Sequence, residues 1–85
     1  MAFDFTGKRA IVCGGSRGIG RSIALGFAQA GAAVSICARG AETLEAARGE
    51  IARFGHPAHC GICDLADGEA IRRYIADAAK ALGGV

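Results

Sequence analysis

Strand-like and helix-like segments alternate along this chain, and glycines stand at most of the junctions between them. The strand-like segments are short and apolar, which is typical of strands buried in a parallel sheet. They are residues 8–13, 33–38 and 58–63. This alternation constrains the fold more than any other feature, because parallel strands need a crossover connection, and that connection is usually a helix.

The segments that follow these strands carry apolar residues every three or four positions, as the buried face of a helix does. The three patterns stop at Gly31, Gly55 and Gly83, and Asp67 is a candidate N-cap for the third helix. The predicted apolar faces consist of Ile19, Ile23, Phe27 and Ala30, then Leu44, Ala47, Ile51 and Phe54, and finally Ile71, Ile75, Ala78 and Leu82.

The resulting order, β-α-β-α-β-α, predicts an α/β fold with a parallel sheet, right-handed crossovers and helices on both faces. Val85 would begin a fourth strand, so we expect residues 1–85 to be a truncated half of a larger sheet. The 14 glycines and 19 alanines suit helices that pack closely on a sheet, but they provide little volume for a self-sufficient core. We therefore expect the isolated chain to be aggregation-prone, with its first strand as an unpaired edge.

Charge and composition exclude several classes of protein. The net charge of +2 is too small to indicate nucleic-acid binding, and the apolar fraction of 52% excludes a disordered tail. No apolar run approaches the roughly 20 residues of a membrane span, and the N-terminus lacks the basic and apolar regions of a secretory signal. We expect a cytoplasmic protein. Eight of its ten basic residues are arginine, which suits planar contacts with phosphate.

The four cysteines leave three interpretations open: disulfides, a metal or redox site, and buried thiols. A compact zinc ligand set would consist of His56, His59, Cys60 and Cys63. Residues three apart on a strand point to opposite faces, however, so Cys60 and Cys63 would not hold one ion. We interpret them as buried thiols, together with Cys13 and Cys37, which lie in apolar runs typical of interior strands.

A glycine-rich loop at residues 14–20 lies between the first strand and the first helix. Gly14 allows a sharp turn, Gly18 leaves room for a phosphate at the backbone, and Gly20 allows close packing of the helix on the sheet. The helix N-terminus adds unpaired N–H groups and the positive end of its dipole. The glycine spacing in this context predicts a phosphate-binding loop, which also contains Ser16 and Ile19.

The residues at the end of the second strand indicate which nucleotide the loop would hold. An acidic residue there binds the ribose 2′-hydroxyl of NAD, and its charge repels the 2′-phosphate of NADP. This chain has Arg39 at that position, and Arg17 in the glycine loop can approach the same place. Two guanidinium groups near one point suit a 2′-phosphate, so the sequence favours NADP(H) over NAD(H).

A rival interpretation uses the same loop. Residues 15–22 match the mononucleotide P-loop pattern GxxxxGK[ST] at every defined position except one. In this interpretation Asp64 would be a candidate magnesium ligand. Arg21 stands where that pattern has lysine, and a guanidinium does not easily replace a lysine at the β- and γ-phosphates. The mismatch favours the dinucleotide interpretation.

Taken together, these motifs resemble the N-terminal part of a short-chain dehydrogenase/reductase, over essentially the whole chain. The TGxxxGxG signature of that family matches at Gly14, Gly18 and Gly20, with Ile19 between the last two and Cys13 in place of the leading threonine. This departure removes one hydroxyl contact that supports the loop in relatives. The resemblance implies a Rossmann-type dinucleotide-binding domain, of which residues 1–85 would be the N-terminal half.

The resemblance also assigns roles to residues outside the glycine loop. Asp64 and Leu65 match the acidic-hydrophobic pair after the third strand, where the aspartate binds the adenine amino group in relatives. A simple helix cap is the alternative role for Asp64. Arg17 and Arg39 match the basic positions typical of NADPH-preferring members. Loops of this kind are frequent among 3-oxoacyl-thioester reductases and related keto-reductases.

The catalytic groups of the family have no counterpart in these residues. Its Asn-Asn-Ala-Gly segment would follow Val85, and its serine and Tyr-x-x-x-Lys pair would come later still. Tyr74 does not match, because the residue four positions on is Ala78 and the tyrosine lies on the apolar face of a helix. We expect an inactive fragment of an NADP-dependent carbonyl reductase. The resemblance implies a small-molecule carbonyl or alcohol substrate and a homo-oligomeric parent, and the charge, the apolar run lengths and the cysteine spacing predict no nucleic-acid, membrane or metal partner.

Overall fold

The computed structural model describes residues 4–14, 18–41 and 43–83. Its helices and strands follow the predicted order, and their ends differ from the predicted ones by no more than about two residues. They are β1 (Arg9–Cys13), α1 (Gly18–Gln29), β2 (Ala33–Ala38), α2 (Leu44–Ala52), β3 (Ala58–Ile62) and α3 (Gly68–Leu82). Val85, the predicted start of a fourth strand, lies outside the described residues.

The three strands form one parallel sheet in the order β1-β2-β3. β2 is the central strand, and its residues are buried from Ala33 to Cys37. The register places Cys13 opposite Cys37 and Ala38 opposite Ile62, so the carboxyl ends of all three strands lie at one edge of the sheet. The predicted α/β fold with a parallel sheet is confirmed.

The helices cover both faces of the sheet. α1 and α2 bury Ala24, Ala28 and Ile51 in one apolar cluster with Val34 and Ile36 of β2. α3 covers the opposite face, where Tyr74 and Ala78 pack with Cys37 and Cys63. The chain therefore crosses to the other face after β3. α3 then leads back across β2, until the carbonyl of Leu82 accepts a hydrogen bond from the Arg9 side chain of β1 at 3.0 Å.

The predicted buried face of α1 is wrong by part of a turn. Ile19 and Ile23 are exposed to 81% and 47%, and the fully buried positions are Ala24 and Ala28. Small side chains let the helix axis approach the sheet closely, whereas isoleucines on that side would hold it away. Phe54 lies beyond the end of α2 and is also exposed.

The predicted buried face of α3 is confirmed at Ala78 and Leu82, which are buried, and at Ile71, which packs against the core, but it is wrong at Ile75. Ile75 is exposed, and the neighbouring Tyr74 is buried on the sheet beside Ala78. Gly61 of β3 makes room for the tyrosine, because a Cβ at position 61 would lie 2.8 Å from Cδ1 of the ring. A glycine opposite an aromatic residue thus decides which side of α3 faces the sheet.

Both ends of α3 carry the predicted signals. The Asp67 carboxylate accepts hydrogen bonds from the backbone N–H groups of Glu69 and Ala70 at 3.0 and 3.2 Å, so Asp67 is the N-cap. Gly83 ends the helix in the left-handed conformation, with φ of 84°. Within the described residues, no helix combines the length and the apolar character that crossing a membrane would need.

Candidate nucleotide site

The candidate site lies at the edge of the sheet where the three strands end. Backbone hydrogen bonds continue the strand pairing for one step beyond the ladder: Gly14 N–H donates to the Cys37 carbonyl at 2.8 Å, and Cys63 N–H donates to the Ala38 carbonyl at 2.9 Å. Arg39 directly follows Ala38 in the chain. The segments that leave β1, β2 and β3 are therefore neighbours at this edge, which is where ligands bind in open α/β sheets.

Two glycines of the loop have backbone conformations that other residues rarely adopt. Gly14 turns the chain off β1 with φ of 73°, and Gly18 begins α1 with φ of 57°. Among the residues that the structure describes, and apart from chain neighbours, no heavy atom lies within 4 Å of where a Cβ would stand on either residue, so the space in front of the backbone is open there. The predicted turn at Gly14 is confirmed, and the positive φ of Gly18 favours glycine there, whereas its predicted role in leaving room for a phosphate stays a prediction.

The N-terminus of α1 is the predicted anion-binding element of this edge. Gly18 and Ile19, in the first turn of this helix, are both exposed. Backbone N–H groups in a first turn lack intrahelical partners and lie at the positive end of the helix dipole. Ser16 and Arg17, two further predicted contacts, lie outside the described residues. Gly20 is half-buried within α1, and its predicted role in close packing stays a prediction.

The predicted residues after β2 and β3 are all exposed at the same edge. The side chain of Arg39 lies in solvent immediately after β2. Asp64 accepts a hydrogen bond from Ala66 N–H at 2.9 Å, which fixes its carboxylate in the turn before α3. The helix cap is Asp67 instead, so capping does not account for Asp64. Leu65, which follows Asp64 in the chain, is 51% exposed, and Ile19 at the start of α1 is 81% exposed.

Arg21, the residue at the position of the P-loop lysine, is engaged elsewhere. Its guanidinium forms an ion pair with Glu50 of α2, which lies on the same face of the sheet as α1. In a P-loop this side chain would reach the β- and γ-phosphates. The ion pair therefore adds a structural argument against the mononucleotide interpretation.

The cysteines divide between the two faces of the sheet. Cys60 packs against the cluster beneath α1 and α2, and Cys63 belongs to the cluster beneath α3, which confirms that the two point to opposite faces. Cys37 and Cys63 are buried as predicted, but Cys13 is exposed at the end of β1, so the prediction of a buried thiol is wrong there. In the part of the chain that the structure describes, no three Cys, His, Asp or Glu side chains are arranged to hold a metal ion.

Sequence reasoning missed one polar network beneath α3. The Ser35 hydroxyl forms hydrogen bonds with His59 Nδ1, at 2.9 Å, and with the Tyr74 hydroxyl. Burial is the main cause that raises the pKa of the Tyr74 phenol from 10.0 to about 12. A serine in the middle of an apolar strand and a tyrosine on an apolar helix face were the available signals.

Comparison with known proteins now defines the family. The model of the short chain dehydrogenase family matches residues 8–85. The chain belongs to the short-chain dehydrogenase family. It is 41% identical over 81 residues to an uncharacterised oxidoreductase of Mycobacterium tuberculosis, with 95% of this chain and 31% of that protein covered.

Solved structures agree in both fold and sequence. A protein described as a short-chain alcohol dehydrogenase from Sinorhizobium meliloti superposes with a TM-score of 0.91 and 44% identity, over 100% of this chain and 34% of that one. A Burkholderia cenocepacia short chain dehydrogenase in complex with NADP gives a TM-score of 0.88 and 42% identity, over 94% and 33% of the two chains. The chain thus spans about a third of the length of its relatives, as their N-terminal portion.

Proposed function

We propose that these residues are the N-terminal, cofactor-binding half of the nucleotide-binding domain of an oxidoreductase. The enzyme would transfer hydride between the nicotinamide of NADP(H) and a carbonyl or secondary alcohol substrate. One observation carries the proposal: the open space in front of Gly18, at the N-terminus of α1, lies at the same sheet edge as Arg39 and Asp64. Membership in an oxidoreductase family supports the hydride chemistry.

The residues at this edge fit the chemical parts of a dinucleotide. The pyrophosphate would accept hydrogen bonds from the first turn of α1, because Gly18 has no side chain to block its approach. The adenine ring would contact the exposed apolar side chains of Ile19 and Leu65, with Asp64 as the acceptor for its amino group. The bound cofactor would supply the hydride, and these residues would hold and orient it.

The charge after β2 favours the phosphorylated cofactor. Arg39 is exposed where an NAD site has an acidic residue, and a guanidinium forms charge-assisted hydrogen bonds with phosphate. Arg17 would approach from the glycine loop. Asp64 belongs to the next strand end, so its negative charge does not occupy the position that selects against a 2′-phosphate.

The catalytic groups would lie in the part of the enzyme that follows these residues. Tyr74 is no substitute, since its hydroxyl is buried against Ser35 and its pKa is raised to about 12. It also belongs to the network beneath α3 rather than to the group of loops at the carboxyl edge. We therefore expect these 85 residues alone to bind weakly at most and to catalyse no hydride transfer.

The decisive experiment compares the two cofactors in the full-length enzyme. Fluorescence titration should give tighter binding of NADPH than of NADH. Arg39→Asp should weaken NADPH binding by about 1.5–3 kcal/mol, the value of a charge-assisted contact, and should leave NADH binding nearly unchanged. Arg72→Glu, at an exposed position of α3, changes the charge by the same amount and is the matched control. Equal affinities for both cofactors in the unmutated enzyme would contradict the assignment of NADP(H).

Reading the gene beyond Val85 separates this function from its alternative. An Asn-Asn-Ala-Gly segment followed by a Tyr-x-x-x-Lys pair would support hydride transfer. A chain with neither, which nevertheless binds nucleotide, would be a binding module without oxidoreductase chemistry.

A further inference from the structure

Two cysteines face each other across the strand pair at the base of the glycine loop. Cys13 is the last residue of β1, and its register partner on β2 is Cys37. Paired residues on neighbouring strands lie about 4.8 Å apart, which is within the Cα separation of about 4.4–6.8 Å that a disulfide spans. Because register partners also share a sheet face, the two thiols are neighbours on the face covered by α3.

The two thiols differ in their access to solvent. Cys13 is exposed, whereas Cys37 has no exposed surface and is covered by the α3 face cluster. Burial is the main cause that raises the pKa of the Cys37 thiol from 9.0 to about 11, and the neighbouring Cys13 thiol adds to it. A reagent in solution would therefore react with the exposed Cys13 thiol first, and the buried Cys37 thiol would react only with Cys13.

We propose that Cys13 and Cys37 form a redox-active dithiol that exchanges with small-molecule disulfides such as oxidised glutathione. The Cys13 thiolate attacks one sulfur of the reagent, the reagent's S–S bond breaks, and one glutathione thiolate leaves. The Cys37 sulfur then attacks Cys13 Sγ in the mixed disulfide and expels the second thiolate. The two protein thiols are oxidised to one disulfide, the reagent is reduced to two thiols, and the two cysteine protons end on them.

The position of the pair favours a reversible bond. The general spacing of neighbouring strands, about 4.8 Å, is shorter than the most common Cα separation in a disulfide, about 5.5–6 Å. A disulfide between register partners would therefore be strained, and a strained disulfide is more easily reduced. Cys13 is the last residue of β1, so the backbone can adjust to the new bond only on the side that leads into the glycine loop. Excess thiol should therefore return the dithiol.

Oxidation would act on the nucleotide site through Gly14, and this step rests on the proposed function. Gly14 follows Cys13 directly, and its N–H donates to the carbonyl of Cys37 at 2.8 Å. A disulfide between the two side chains would shift the backbone at Cys13 and Gly14, where the phosphate-binding loop begins. The oxidised enzyme should thus bind NADPH at least about tenfold more weakly, a loss equal to about one charge-assisted contact.

The test begins with the linkage itself, in the full-length enzyme. After incubation with oxidised glutathione and alkylation of the remaining thiols, peptide mapping should show the Cys13–Cys37 disulfide. Cys60→Ser, on the opposite face, should form the same linkage, and Cys13→Ser should form none. A lasting glutathione adduct on Cys13, a Cys37–Cys63 linkage, or no reaction of Cys13 would overturn the proposal.

The second measurement titrates NADPH into the reduced, oxidised and re-reduced enzyme. Weaker binding in the oxidised form, restored by dithiothreitol and absent in Cys13→Thr, is the expected result. Unchanged affinity in the presence of the mapped disulfide would overturn the link to the nucleotide site. Failure of the reduced enzyme to bind NADPH would instead contradict the proposed function, and the dithiol would still be decided by the peptide map.

Discussion

The carboxyl edge of the sheet and the face beneath α3 are built in opposite ways. At the edge, Gly14, Gly18 and Arg39 are exposed, and the first two leave open space in front of the backbone. Beneath α3, Gly61 is filled by the Tyr74 ring. The same residue type thus keeps space for a ligand in one region and for a side chain in the other. Substitutions at the edge should change binding, and substitutions beneath α3 should change stability.

Gly18→Val should break the edge most completely. The Val side chain would occupy the space in front of the first turn of α1 and would strain a residue with φ of 57°. We expect loss of NADPH binding, measured by titration, with far-UV circular dichroism nearly unchanged. Gly26→Val, in the exposed middle of the same helix, is the matched control and should bind normally. Normal binding by the Gly18 variant would place the phosphate elsewhere.

Alkaline pH should lower the stability of the protein through two groups beneath α3. The pKa values of Cys37 and Tyr74 are raised from 9.0 to about 11 and from 10.0 to about 12 in the folded state. Between the unfolded and folded values, only the unfolded chain loses the proton, so the free energy of unfolding falls as pH rises. Each group should contribute a loss of roughly 2 kcal/mol between pH 9 and 12.

Urea unfolding at successive pH values would measure this loss. Tyr74→Phe removes the phenol that ionises in the upper part of the range, so its stability curve should be flatter there. A midpoint in urea that stays constant from pH 8 to 11 would show that neither group is shifted in the way its burial implies.

Gly61→Ala tests whether β3 needs a glycine at position 61 to leave room for the Tyr74 ring. The new methyl group would lie 2.8 Å from Tyr74 Cδ1, so the ring or the helix must move, at a cost of about 1–3 kcal/mol. Gly49→Ala, in α2 with no atom within 4 Å, should instead stabilise the protein by about 0.5–1 kcal/mol. Chemical denaturation gives both values, and equal effects of the two substitutions would refute the contrast.

The smallest expected effects separate the members of the polar network. Tyr74→Phe leaves the Ser35 hydroxyl bonded to His59, so it should cost only about 1 kcal/mol. Ser35→Ala removes the hydrogen-bond partner of both His59 and Tyr74. It should lower the free energy of unfolding by more than Tyr74→Phe does, because the buried Tyr74 hydroxyl then loses its hydrogen bond inside the protein. Ser22→Ala, on the exposed side of α1, is the control and should be near neutral. A larger loss from the tyrosine variant than from Ser35→Ala would reverse this order.

Local features of the sequence determined the order of helices and strands, the cap at Asp67, the stop at Gly83 and the turn at Gly14. Each depends on residues within a few positions of one another, through periodicity, side-chain capping or the freedom of glycine at positive φ. The glycine spacing and the arginine after β2 also located the candidate nucleotide site, because parallel strands bring their carboxyl ends to one edge. The roles of Ser16 and Arg17 remain predictions.

Periodicity determined the buried face of α2, where Leu44, Ala47 and Ile51 are buried as predicted, but only the tertiary structure decided the exact face of α1 and the place of Ile75 on α3. Both α1 and α3 carry apolar residues around more than one side, so periodicity alone assigned Ile23 and Ile75 to the buried faces, whereas Ala24 and Ala28 of α1 pack on the sheet and both isoleucines are exposed. The choice depends on the facing strand, where close approach or an opposing glycine accepts one side chain and rejects its neighbour. Likewise, the contact of Cys13 with Cys37 follows from strand register, which joins residues far apart in sequence and is set by the packing of the whole sheet.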